Sequence, residues 1–376
     1  MVDGELEQEL APHGDPEHDA GASTGRAVRG TIRAIMRLQT PLAAVVLTAV
    51  GLLTPAAAQD QPAHRFLKNT VQLTPAQIAD VDHGQVVTKQ LPGADKPEIA
   101  AFGAVFVNAD KEALLTHLRN ITAFRRAPSV LEIGRLSHPP RVEDFAGLTA
   151  DDADLQALRK CRPGDCDVKV ARSAMDRLQR ELRWSSPGAK ADATALLKQM
   201  LTDYAAAYIR GGTSEMATYE DKDKPLDTAA EFRKALSSSP YLVQYVPEFH
   251  RYIEDFPRAK LEGIEDLFYW MKDRFGPKPT VALYHATLWK DPRDPTRVVV
   301  SFKQFYASHY FQAGLELMAL VDAPGRKGFY LLDLFRARVD PPTGMLSGVL
   351  LGKIRGGVEQ GVAEGLRTAK AKAEGQ

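Results

Sequence analysis

The sequence predicts an α+β fold, an antiparallel β meander with a long carboxy-terminal helix packed along it. Three observations predict it. From about residue 264 to 339 the chain runs through strand-like segments separated by short Pro/Gly turns. From about Leu346 to Lys372 an apolar stripe recurs at helical spacing. Between about 141 and 262 the texture is helical and charged, so helices and strands are segregated along the chain.

Residues 1–58 stand apart from the fold. Arg26, Arg29, Arg33 and Arg37 precede the apolar run 41–53, and small residues follow at Ala56 and Ala58. That order is the grammar of a signal peptide, with cleavage expected between Ala58 and Gln59. The apolar run is about thirteen residues, where a spanning helix needs roughly twenty. A conventional signal peptide would begin at Met36 and span 36–58, which leaves 1–35 as an acidic, disordered leader or a misassigned start. Cleavage would leave residues 59–376 as the working part, periplasmic or secreted.

Formal charge is balanced, with 48 Lys/Arg against 48 Asp/Glu, and removing residues 1–58 leaves only a small basic excess. No clustered basic face suggests nucleic acid. Cys161-Arg-Pro-Gly-Asp-Cys166 holds both cysteines around a Pro-Gly turn, and in an oxidising compartment they read as a disulfide. No second Cys/His pair completes a metal site, and no metal or cofactor is expected.

Along the mature chain, 59–72 reads as a flexible start, and Thr74-Pro75 opens a short helix ending near Gly84. Residues 85–91 and 98–107 have strand composition. An amphipathic helix follows, with Leu114, Leu115, Leu118, Ile121 and Phe124 on one face, then a strand at 130–134. Helical spacing returns at 151–160, 172–183, 189–210, 226–237 and 247–254, and 167–170 reads as a return to the sheet. The meander takes 267–271, 281–289, 297–310, 311–322 and 329–339. In the last helix Leu351, Ile354, Val358, Val362 and Leu366 share one side.

This order of elements resembles the START or helix-grip superfamily, also called Bet v 1-like. The matching parts are Glu98–Phe124 and Leu267–Lys372, and the helical stretch at about 141–262 would be a large insertion. The resemblance implies a curved sheet wrapped on the carboxy-terminal helix, with a hydrophobic pocket between them. Cys161–Cys166, Tyr306–Phe311 and Val246–Phe249 also resemble segments of a group of exported bacterial proteins, which bears on location and gives no activity.

Several chemistries are set aside. Gly348-Val-Leu-Leu-Gly352-Lys353-Ile354 is one residue short of a phosphate loop and has Ile where Ser or Thr should stand. No H-E-x-x-H or G-x-S-x-G occurs. His285 and His309 read as hydrogen-bonded structural residues. The signal that remains is polar side chains within the meander: Gln304, Tyr306, Glu316, Arg336 and Arg338. They read either as a solvated sheet face or as the polar lining of a mostly apolar ligand cavity. The resulting expectation is a binder or carrier of a lipid or other hydrophobic small molecule, with peripheral membrane contact. An enzyme using the same pocket (a cyclase, isomerase or hydrolase built on Glu316 and Arg336) is the second reading. An envelope interaction module is the third.

Overall fold

The structure is a computed structural model and describes residues 61–342 and 344–376, so the leader, signal peptide and Ala58–Gln59 site lie outside the described residues. The meander is made of β6 (Ile264–Asp273), β7 (Thr280–Lys290), β8 (Val298–Ala307), β9 (Phe311–Asp322) and β10 (Phe329–Val339). β1 (Val87–Leu91), β2 (Glu98–Val107) and β3 (Val130–Arg135) join the same sheet. Its order is β1-β2-β10-β9-β8-β7-β6-β3, eight strands, every pairing antiparallel. β2 and β3 thus flank the meander at opposite ends, joined by α3 (Lys111–Arg119) and α4 (Ile121–Phe124). The helix α11 (Ser347–Ala373) lies across β2, β1 and β10 and buries Val358, Val362, Leu366, Ala369 and Ala373. This is the helix-grip arrangement, with β1 added at the edge.

Alternation divides the strands between two cores. Toward α11 point Ile99, Ala101, Val105, Val300, Phe302, Met318, Leu320, Phe329 and Leu331. The other set includes Phe106, Trp270, Leu283, Trp289, Phe305, Leu315, Tyr330 and Leu334. A sheet with one wet face would leave this second set in water. Instead it is covered by α1 (Pro62–Asn69) and α2 (Pro75–Asp82), and by α7 (Ala189–Gly211), α8 (Thr228–Ser237), α9 (Pro240–Tyr245) and α10 (Pro247–Asp255). The segment between β3 and β6 is therefore a second layer, and the sheet is buried on both faces. Within it α5 (Asp152–Lys160) and α6 (Arg172–Glu181) form a small core of their own around the bonded pair Cys161–Cys166. Gly164, at φ +85°, supplies the left-handed residue this short loop needs.

Several local expectations are corrected. Residues 62–69 are helical, because Ala63, His64 and Leu67 bury against the sheet. The front helix is interrupted at Asn120, which ends α3 and begins α4. Residues 167–170 form no strand. Val168 and Val170 point into the small core, and the segment meets the sheet through the Lys169 amide, which donates to the Ser308 carbonyl, and the Lys169 carbonyl, which accepts from the Tyr306 hydroxyl. β4 (Thr218–Tyr219) and β5 (Leu226–Asp227) make a small separate hairpin that the composition does not signal.

Candidate functional site

Between the sheet and α11 lies a cavity of about 500 Å³, a size typical of small-molecule sites. Three features of the chain create it. First, α11 sits over the β1–β2–β10 end, leaving the helix-facing side of β6 to β9 partly uncovered. Second, Gly103 lets it sit close there: a Cβ at this position would lie 2.5 Å from Leu366 Cδ1. Third, the edge of α11 beside the cavity carries Gly357, Gly361 and Gly365, with no atom within 4 Å of where their Cβ atoms would be.

The walls are mostly apolar and aromatic, with Phe302, Phe311, Phe335, Ile354 and Val358 among them. Into this wall the strands set a small polar group. Arg125, the residue after α4, reaches across to donate from Nη2 to Glu316 Oε2 at 2.9 Å. Its guanidinium lies 3.8 Å from the centre of the Phe302 ring. Burial works against the Arg125 charge, but Glu316 and its hydrogen bond hold the guanidinium more firmly protonated than usual. Gln304 Nε2 donates to the Tyr284 hydroxyl at 3.0 Å, and Tyr284 stacks on Tyr269 with centroids 4.9 Å apart.

Asp333 is the residue most at odds with its surroundings. On β10 it faces the cavity in the alternating set Phe329, Leu331, Asp333, Phe335, and it is 2% exposed. Burial pushes its carboxyl well above the ordinary carboxylate range, Glu316 pushes the same way, and Arg125 opposes them. Burial therefore favours the protonated, neutral form of Asp333. Asp273, at the other side of the cavity, is raised by burial to about 6. Among the described residues, Arg125 Nε, Gln304 Oε1, Asp333 Oδ1 and Asp273 Oδ1 are buried without a hydrogen-bond partner, and all four residues line this one cavity. Unpaired buried polar atoms cost about 1–3 kcal/mol each, so their convergence on one space calls for an explanation.

The structure separates the residues singled out from the sequence. Gln304 and Glu316 line the cavity. Tyr306, Arg336 and Arg338 lie on the opposite face, so their grouping with Glu316 is corrected. For Tyr306 the reason is a β-bulge. Tyr284 pairs with Gln304 and Leu283 with Tyr306, leaving Phe305 as an extra residue that reverses the alternation. Tyr306 then packs on Tyr204 and Tyr219. Arg336 and Arg338 follow strict alternation, which turns them away from α11. Arg336 Nη1 donates to Glu98 Oε1 at 2.7 Å and its Nε to Ser239 Oγ at 3.0 Å. Arg338 holds Asp95 through two bonds and Glu231 of α8 through a third. Both arginines fasten the insertion and the start of β2 to the sheet.

His285 and His309 are hydrogen-bonded within the fold, to Asp266 at 2.8 Å and to Asp154 at 3.0 Å. Reasoning from the sequence missed Arg125 and Asp333. Asp333 had a visible signal, a lone acid inside the apolar run Tyr330-Leu-Leu-Asp-Leu-Phe335. Arg125 had none, since nothing local says which way a residue after a helix will reach.

No protein-family model and no curated protein matches the chain. Among solved structures it is similar to the Zhui aromatase/cyclase from Streptomyces sp. R1128, at 11% identity and a TM-score of 0.24, covering 36% of this chain and 86% of that one. It is also similar to the di-domain ARO/CYC StfQ from the steffimycin biosynthetic pathway, at 15% identity and a TM-score of 0.23, covering 73% of this chain and 98% of that one. Neither likeness bears on what this chain binds.

Proposed function

We propose that the chain binds a hydrophobic or amphipathic small molecule in the cavity between the sheet and α11, after export through the amino-terminal signal. The observation that carries the reading is the convergence of four unpaired buried polar atoms on one largely apolar cavity. An apolar body would fill the walls, and one polar end would meet Arg125, Gln304 and Asp333. A lipid, sterol-like or polyketide-like compound has that shape. Lipid extraction and mass spectrometry of the purified protein test it, with Asp333→Asn and Glu316→Gln alongside. A bound compound at near one per chain in the wild type, depleted in the variants while melting is preserved, is the expected result. Equal retention by all three proteins would remove these residues from the site. Amino-terminal sequencing of exported protein should begin at or near Gln59, and a retained 41–53 segment would contradict export by cleavage.

One observation favours a second reading, an enzyme of cyclase or isomerase type in the same cavity. Asp333 lines the cavity with an unpaired Oδ1 beside the Arg125–Glu316 pair, and burial favours its protonated form, which suits proton donation to a bound carbonyl or alkene. Turnover of a bound compound that Asp333→Asn abolishes without loss of binding would establish that reading over simple carriage.

A further inference from the structure

The insertion and the sheet form a second, open cavity of about 960 Å³ on the face of the sheet away from α11. Asp266 and Phe268 of β6 line it, together with Tyr252 of α10, Phe256, Ile209 of α7 and the segment 257–262. Phe256 and Phe268 are packed 6.0 Å apart between centroids, and Phe256 is in edge contact with Tyr252 at 5.9 Å. Asp266 is the half-buried charge among these aromatic rings. The other charged lining residues, Arg135, Lys260 and Glu262, are exposed to solvent, as is His138.

Every partner of Asp266 is a neutral donor. Its Oδ2 accepts from the Tyr252 hydroxyl at 2.5 Å, and its Oδ1 accepts from Thr287 Oγ1 at 3.2 Å and His285 Nε2 at 2.8 Å. Because the Asp266 carboxylate can only accept, the neutral ring carries its proton on Nε2, and Nδ1 accepts from the Tyr208 hydroxyl at 3.1 Å. Burial lowers the His285 pKa, against the pull of Asp266, so the imidazole is neutral at neutral pH. Burial alone would raise Asp266, but His285, through its hydrogen bond and through its charge when protonated, and then the hydrogen bonds from Tyr252 and Thr287 overcome it and hold the carboxyl below its ordinary value. A carboxylate stabilised in this way is a poor base and a good fixed anion. Among the described residues, His285 is its one ion-pair neighbour, and that neighbour is uncharged. A metal ion is a poor match, because no group of three His, Cys, Asp or Glu converges among the described residues.

We propose that this second cavity binds an organic ammonium group, a hydrophobic amine or quaternary ammonium, with Asp266 as counter-ion and Tyr252, Phe256 and Phe268 as its aromatic wall. Aromatic faces beside an anion form the usual recognition site for such cations. The site is independent of the cavity under α11, since the sheet separates them, and it gives the insertion a binding role besides its packing role.

Ligand-observed NMR titration of the purified protein decides it. The probes are benzyltrimethylammonium and its neutral carbon isostere neopentylbenzene, both below the solubility of the neutral compound. The cation should bind at least tenfold more tightly than the isostere. Asp266→Asn should remove at least tenfold of that affinity, while Glu316→Gln and Asp333→Asn leave it unchanged. Phe256→Leu should weaken the cation several-fold and the isostere much less, and it serves if the Asn variant fails to fold. Equal binding of the two probes, no binding of the cation, unchanged binding by Asp266→Asn, or loss on Glu316→Gln would each overturn the proposal.

Discussion

Arg336 and Lys303 show how far a polar residue in a strand can be from water. Glu98, the partner of Arg336, is fully buried at 0% exposure, and the pair is 2.7 Å apart. Removing one member of such a pair strands the other charge in a dry interior, at about 3–5 kcal/mol. Arg336→Ala should therefore lower stability by about that amount in urea denaturation, whereas a solvated arginine would cost less than about 0.5 kcal/mol. Arg336→Met combined with Glu98→Leu should recover most of the loss, since apolar replacements of a buried pair are often neutral. Lys303 is a different case. It is 1% exposed, donates to Thr213 Oγ1 at 2.6 Å and lies 3.9 Å from the Phe232 ring centre. Burial, and then the nearby Arg233, pull its pKa well below 10.5, with Glu254 opposing. The unfolded chain then holds this proton more tightly than the fold does. Lys303 thus makes stability rise with pH from the lowered folded pKa up to about 10.5, and fall as pH drops through that window. Lys303→Met should raise stability at neutral pH and flatten the slope measured between about pH 7 and 10. An unchanged slope would mean that the lysine is charged in the fold.

At the scale of elements, the glycines beside and beneath α11 make opposite predictions. Gly103→Ala would set a methyl 2.5 Å from Leu366 Cδ1 and 2.8 Å from Val362 Cγ1, so α11 must lift. Overpacking of this kind costs about 1–3 kcal/mol. Gly361→Ala meets nothing within 4 Å, and relief of a helical glycine should add up to about 1 kcal/mol. Gly361→Leu would project into the cavity and should deplete bound ligand at undiminished melting temperature. If both Gly361 variants destabilise, the cavity does not border that edge of the helix. The elements themselves were largely legible. Five meander strands and the last helix are each ten residues or longer, long enough for the pattern to outweigh any one position. The bulge at Phe305 was not legible, because one extra residue reverses a parity and leaves no trace in composition. The second face was also hidden. Lys303, His285, Arg336 and Arg338 alternate with apolar residues just as a wet face would, and only their partners, from β2, β6 and the insertion, show that they are buried.

The whole molecule turns on whether the insertion is a separable addition or half of the sheet's enclosure. Topologically it looks removable. β3 and β6 are antiparallel neighbours, with Arg135 paired to Tyr269 and the Leu136 amide bonded to the Phe268 carbonyl at 2.8 Å. A Gly/Ser linker of about eight residues could span from Leu136 to Ile264. Energetically it is not removable. Trp270, Trp289, Phe268, Leu283 and Phe305 all sit in the core that the insertion covers. Large aromatic side chains bury about 150–250 Å² each, so excision would open a patch well beyond the roughly 300–600 Å² found on ordinary monomers. At about 25 cal/mol per Å² such a loss exceeds the net stability of many domains. It would also strip Lys303 of Thr213, His285 of Tyr208 and Arg338 of Glu231. The excised chain should therefore be insoluble, or an expanded state that binds a hydrophobic dye without a cooperative melting transition. A soluble monomer with a sharp transition would show that the helix-grip part is complete alone. It would also put the cavity above Asp266 in a domain attached to the grip rather than built into it.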